Sequence, residues 1–171
     1  MAGLVRAGLE EAGVPCGLLP MDGFHLDNEK LTELGLLSRK GAPETFDLEG
    51  FASTLKRLTV EDEVAVPLFD RSLDAVLPAA DLIGKDQRHV VIEGNYLLLD
   101  EPGWRDLSSD WTFSVFVSAS IEELRERLVQ RWLDHGLTPK DAEKRAAEND
   151  LVNAQRVLSK RLSDKIDMLL F

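Results

Sequence analysis

Two short apolar segments each run into an acid followed by a glycine: Leu18-Leu19-Pro20-Met21 meets Asp22-Gly23, and Val90-Val91-Ile92 meets Glu93-Gly94. In a parallel sheet the carboxyl ends of the strands line the ligand crevice. Two carboxylates delivered there suit a shared metal ion or a proton transfer. Asp22 can take a proton from a hydroxyl or help hold Mg²⁺, and Gly23 lets the backbone pass close to a ligand. Read locally, the same pair is also an acid in a turn with a glycine that serves only the turn. Glu93 closes a strand rich in β-branched residues, the placement by which nucleotide-dependent enzymes position Mg²⁺, usually through water.

Four other groups of residues have types suited to ligand chemistry. His25, beside Phe24, is either a substrate contact or a packed ring. Arg39-Lys40-Gly41-Ala42-Pro43-Glu44-Thr45-Phe46-Asp47 and Phe69-Asp70-Arg71 each set a cation near an acid, as a polar pocket needs. A solvated turn with Asp47 as a helix cap explains the same pattern. Arg127 and Arg131 are four residues apart, so on a helix they share a face and repel unless an anion lies between them. Glu123, four residues before Arg127, offers the competing partner. Glu148-Asn149-Asp150-Leu151-Val152-Asn153-Ala154 is a polar stretch that either meets a nucleotide base or breaks a long helix.

The elements that must hold these residues follow from periodicity and caps. Residues 1–12 have helical apolar spacing at Leu4, Val5 and Leu9, and end at Gly13. Val14–Leu19 reads as a buried strand, and Asp27 caps a short helix through Leu34. Asp47 caps a helix whose apolar positions are Leu48, Phe51, Ala52, Leu55 and Leu58. Val64–Phe69, His89–Ile92 and Thr112–Val117 read as strands. Ser120 with Glu123 forms a capping box, and Thr138-Pro139-Lys140-Asp141 opens a further helix. Residues 165–171 supply a candidate edge strand. Strands separated by helices predict an α/β fold with a parallel sheet flanked by helices, in one domain spanning residues 1–171.

Composition narrows the partners. The chain carries 31 acids against 20 Lys and Arg, a net charge of -11, so its field repels nucleic acids and anionic membranes and any phosphorylated ligand needs a local cation cluster. No apolar run approaches the ~20 residues that span a bilayer. Cys16 is the one cysteine, and no basic-then-apolar leader opens the chain; both suit a cytoplasmic protein.

The order Met21-Asp22-Gly23-Phe24-His25, Arg39 through Asp47, Phe69-Asp70-Arg71, Val91-Ile92-Glu93-Gly94-Asn95-Tyr96, then Asn149-Asp150 and Asn153, resembles the uridine kinase, pantothenate kinase and phosphoribulokinase group of P-loop kinases. Within it the sequence looks like the bacterial nucleoside and sugar kinase-like branch, which includes proteins called fructose transport system kinases. The resemblance covers nearly the whole chain. It implies a P-loop NTPase-like sheet, ATP as co-substrate and Mg²⁺ as cofactor. It makes Asp22 the general base near the metal and Glu93 the acid at the second metal-side strand end. Phe24, His25, Asp47 and Arg71 fall where the family contacts the acceptor, and Arg127 and Arg131 match its lid arginines. Asn153 falls near the adenine, within a lid and nucleotide-side segment over residues 125–155. The partner implied is a small-molecule substrate, and a homodimer is a further expectation for the chain. Trp132 stands where a histidine is expected.

A further departure concerns the phosphates. The family has a strand and Gly-x-x-x-x-Gly-Lys-Ser/Thr immediately before a helix like residues 1–12, and that motif occurs nowhere in this sequence. The expectation is a chain with its first strand and phosphate loop missing, as in an internal or misassigned start. Three functions are then weighed. One is ATP-dependent phosphorylation of a hydroxyl on a nucleoside, pantothenate-like acid or sugar. Another is a metabolite-binding regulatory protein derived from such a kinase. A third, a phosphatase with an Asp-x-Asp-Gly strand end, fits poorly because Pro20 stands at the nucleophile position.

Overall fold

The computed structural model describes all residues from Met1 to Phe171. The chain divides into two compact units: Met1–Lys40 with Thr45–Asn95, and Gly41–Glu44 with Tyr96–Phe171.

The first unit opens with helix α1 (Ala2–Glu11), which stops where Gly13 takes a left-handed φ of +78°. Of its apolar positions Leu9 is half-buried, while Val5 and Leu4 are exposed, Leu4 at 78%, and no residue of α1 is fully buried. Strand β1 (Cys16–Pro20) follows and leads directly into a 3₁₀ turn over Met21–Phe24. Helix α2 (Asn28–Glu33) is capped by Asp27, which accepts from the Lys30 amide at 2.7 Å. Helix α3 (Leu48–Val60) is capped in the same way by Asp47, which accepts from the Gly50 amide at 2.9 Å.

Strands β2 (Glu63–Asp70) and β3 (Ala75–Gly84) form an antiparallel hairpin. This corrects the sequence reading, which placed residues 64–69 among parallel strands and gave 75–84 no strand. The β2 ladder shifts register between Val66 and Leu68, at Pro67, a residue with no amide to donate. Strand β4 (His89–Glu93) returns parallel to β1, pairing Pro20 with Glu93, so the two strands end level. Leu19, Met21, Leu31, Phe51, Val64 and Val66 are buried and form the core of this unit.

In the second unit β5 (Val115–Val117) pairs in parallel with β6 (Met168–Leu170), so the candidate edge strand at the C-terminus forms. Between them, α4 (Ile121–Asp134) is capped by Ser120, and α5 (Pro139–Arg145) by Thr138 with proline at its start. The polar stretch after α5 does not break the helix. Ala146–Asp150 makes a π turn that runs without interruption into α6 (Leu151–Ser159). A π turn adds a residue to the spiral and keeps its hydrogen bonds, so polarity alone did not end the helix. Tyr96, Leu99, Trp104, Leu107 and Leu151 are buried here. The α/β architecture with parallel strand pairs and flanking helices is thus present. No helix is long and apolar enough to cross a membrane.

Candidate functional site

Asp22, Phe24, His25, Asp47, Arg71 and Glu93 all belong to the first unit. Asp22 lies in the turn after β1 and Glu93 is the last residue of β4, so the level strand ends deliver both acids to one edge. Their glycines are there for packing. A Cβ on Gly23 would run into the Pro67 carbonyl of β2, and one on Gly94 would lie 2.5 Å from the Met21 Cβ. Met21 itself is fully buried, so each motif depends on a bare glycine at its neighbour. The face of Gly23 expected to admit a ligand is therefore filled by β2.

Arg71, at the tip of the hairpin, donates from Nη2 to Asp22 Oδ2 at 2.9 Å. The tip is shaped by Asp70, whose Oδ1 accepts from the amides of Ser72 and Leu73 and from the Ser72 hydroxyl. Those bonds hold the Asp70 carboxyl below its ordinary range. Asp74 closes the tip at a left-handed φ of 50°, accepting from Asn28 at 2.9 Å and Lys40 at 2.8 Å. Lys40 also donates to the Asn28 side chain and lies 5.2 Å over the Phe69 ring. Asn28, Lys40 and Asp74 were not singled out as a framework from the sequence. The only local signals were the basic turn at Arg39-Lys40 and a second acid after Phe69-Asp70.

Glu93 is pushed above the usual carboxylate range, first by burial and then by the negative charge of Asp22, with Arg71 opposing. Two carboxylates delivered to one edge by level strand ends are the feature that fits a cation. Mg²⁺ is commonly held by one or two carboxylates together with substrate phosphates and water, rather than by a full protein cage. Accordingly, no group of three or more candidate metal ligands occurs in the chain.

The acceptor motif joins the same edge through the backbone. The Asp47 amide donates to the Phe24 carbonyl at 2.7 Å, the Leu26 amide to the Thr45 carbonyl at 2.9 Å, and His25 bridges to Phe46. Phe24 is buried edge-on to Phe51, with ring centroids 4.9 Å apart. His25 lies between Phe46 at 4.1 Å and Phe69 at 4.8 Å, with Nδ1 2.8 Å from the Asp22 carbonyl oxygen. Burial, the largest influence, pulls its pKa below the ordinary histidine value, which favours the neutral ring. Asp47 is exposed and caps α3.

Arg127, Arg131 and Asn153 belong to the second unit. Arg127 pairs with Glu123 at 2.5 Å, the competing partner anticipated from the spacing. Arg131 lies 3.4 Å from Asp150, which also accepts from the Trp132 indole at 2.5 Å. Trp132 is flanked by the guanidinium groups of Arg131 and Arg145, each 5.3 Å from the ring. Asn153 is buried; its Nδ2 donates to Asn149 at 3.4 Å and its Oδ1 has no partner.

No protein-family model matches the chain. It is 41% identical over 140 residues to the uncharacterized protein YggC of Escherichia coli K12, an alignment covering 82% of this chain and 58% of YggC. The chain therefore spans little more than half of that relative's length. It is 32% identical over 153 residues to the ATP-dependent kinase-like protein notR' of Aspergillus versicolor, covering 83% of this chain and 89% of notR'. Among solved structures, one described as a fructose transport system kinase from Silicibacter sp. TM1040 superposes with a TM-score of 0.95 at 46% identity, covering 99% of this chain and 82% of that one. The motif order, the level strand ends with their paired acids and these likenesses agree: the chain belongs to the P-loop kinases related to uridine kinase, pantothenate kinase and phosphoribulokinase.

Proposed function

We propose that this chain carries the acceptor and metal side of an ATP-dependent kinase that phosphorylates a hydroxyl of a small metabolite. The observation that carries this reading is the Arg71–Asp22 ion pair beside Glu93 at the level ends of β1 and β4. Arg71 engages Oδ2 of Asp22, which leaves Oδ1 to accept the acceptor's hydroxyl proton. As that proton moves to Asp22, the hydroxyl oxygen bonds to the γ phosphorus of ATP, the bond to the bridging oxygen breaks, and ADP leaves. Asp22 and Glu93 would hold Mg²⁺, which supplies neutralisation of charge on the phosphate oxygens.

The remaining residues have supporting roles in this proposal. Arg71 and Asp47 contact the polar groups of the acceptor, while Phe24 and His25 shape the wall behind it. Arg127 and Arg131 exchange Glu123 and Asp150 for the transferring phosphate. Asn153 offers its unpaired oxygen to the base amine of the nucleotide.

A second reading is a metabolite-binding regulatory protein derived from such a kinase, without phosphotransfer. Both readings are tested by one experiment. The chain, and a longer polypeptide supplying a phosphate loop ahead of α1, are incubated with ATP–Mg²⁺ and uridine, pantothenate or fructose, and ADP release is followed. Kinase chemistry predicts acceptor-dependent turnover in the longer polypeptide and little in the chain alone. Metabolite binding by calorimetry with no ATP binding in either supports the regulatory reading.

A further inference from the structure

The β2–β3 ladder closes at the Asp70–Ala75 pair, so Arg71, Ser72, Leu73 and Asp74 form a tip beyond it, and all four are exposed. Asp70 folds this tip on itself through its bonds to Ser72 and Leu73, which lie inside the hairpin and leave open where the tip points. The body of the hairpin rests on the Gly23 turn at Pro67, well short of the tip. At the far end Asp74 belongs to a closed triangle. Asn28, the first residue of α2, donates from Nδ2 to Asp74 Oδ2 at 2.9 Å. Lys40 donates to Asp74 Oδ1 at 2.8 Å, to the Asp74 carbonyl at 3.1 Å and to Asn28 Oδ1 at 2.8 Å. Each member is thus bonded to both others. Hydrogen bonds from an ammonium to a carboxylate are among the strong ones, and the Lys40 side chain is only 12% exposed.

Arg71 stands three residues before Asp74, on the same tip, and its bond to Asp22 joins the tip to the strand-end acids. The Arg71 side chain is 69% exposed, and an ion pair so open to water is held only weakly by charge. It persists where the backbone that carries the arginine is already in place. Asp74 suits that task, because its left-handed φ of 50° is a conformation that Asp and Asn tolerate better than other side chains. We propose that Asp74 is a positioning residue for the acceptor: by hooking the tip to Asn28 and Lys40 it keeps Arg71 on Asp22 Oδ2 and leaves Oδ1 to the acceptor hydroxyl. The functional consequence rests on the reading of Asp22 and Arg71 as the acceptor site. All five residues lie in the first unit.

Two measurements on the full chain test this: nitrogen-15 relaxation at the amides of Arg71, Ser72 and Leu73, and calorimetric titration with uridine, pantothenate and fructose. Asp74→Gly keeps the left-handed backbone and loses the carboxylate, whereas Asp74→Asn keeps both the backbone and an oxygen for Asn28 and Lys40. Asn28→Ala opens the triangle from its other corner and leaves the tip's own sequence unchanged, so loosening there cannot come from an added glycine. The tip order parameters are expected to fall from about 0.85 to below about 0.6 in Asp74→Gly, to lie between in Asn28→Ala, and to stay near wild type in Asp74→Asn. For whichever compound binds, Kd should rise about tenfold in Asp74→Gly, about threefold in Asn28→Ala and less than about twofold in Asp74→Asn. In an Arg71→Ala background Asp74→Gly should add less than about twofold, because a residue that acts through Arg71 has nothing left to place. Unchanged order in both Asp74→Gly and Asn28→Ala overturns the inference, as does an equal loss of binding without Arg71. If none of the three compounds binds the wild-type chain, the acceptor reading fails, and the order parameters still decide whether Asp74 holds the tip.

Discussion

Replacing Gly23 by alanine tests whether the Asp22 turn is locked against the hairpin. The added methyl would overlap the Pro67 carbonyl oxygen and lie 2.8 Å from the carbonyl carbon, well inside ordinary van der Waals contact. Backbone cannot swing away as a flexible side chain would. Pro67 sits where the β2 ladder changes register, so moving it disturbs the pairing on either side. Overpacking of this kind costs about 1–3 kcal/mol, and with a backbone obstacle the upper half of that range is expected. Gly8 provides the opposite sign: nothing lies within 4 Å of its added Cβ in α1, and alanine there should stabilise by roughly 0.5–1 kcal/mol. Urea unfolding followed by circular dichroism, with unchanged m-values, reads both differences. A Gly23→Ala chain within about 0.5 kcal/mol of wild type would refute the packing argument, since it would place the variant among ordinary surface changes.

Two further outcomes follow from charge and burial. Glu101 titrates near 2 in the folded chain against an ordinary value of 4.5, so its pair with Arg156 adds stability above about pH 4.5 that is lost as pH falls toward 2. The contribution is about 1–2 kcal/mol once solvent screening is allowed for; Glu101→Gln should flatten that acid limb, and an unchanged limb contradicts it. Asn153→Leu removes a buried oxygen that has no partner, so stability should hold or rise by up to about 1 kcal/mol while nucleotide affinity falls. A loss beyond about 1.5 kcal/mol, more than the long Nδ2–Asn149 bond given up with it can account for, would contradict the orphaned oxygen.

The parts of the site legible in the sequence were those fixed by short-range chemistry. Asp27, Asp47, Ser120 and Thr138 announce their helices because a side-chain oxygen must meet a free amide two or three residues on. The β-branched run before Glu93 announces β4. Strand β3 was not legible: Pro78, Ala79, Ala80 and Gly84 have little strand preference, and Ala79 takes a φ of 53°. It is a strand because β2 pairs with it, a tertiary cause. The Lys40–Asp74–Asn28 framework and the Arg156–Glu101 pair were hidden for the same reason, since their partners lie 12 to 55 residues apart in the chain. His25 and Phe24 show the same. Their ring contacts, Phe24 against Phe51 and His25 between Phe46 and Phe69, join residues 21 to 44 positions apart and could not be read from local sequence.

The central claim, that Asp22 receives a proton during phosphoryl transfer, is tested most directly by Asp22→Asn. The assay is acceptor-dependent ADP release from ATP–Mg²⁺ in the polypeptide that supplies the phosphate loop. Asparagine keeps the shape and can still accept from Arg71 but cannot take the proton, so kcat should fall roughly 10²- to 10⁴-fold. Acceptor-dependent turnover at the wild-type rate would contradict the assignment of Asp22 as the base.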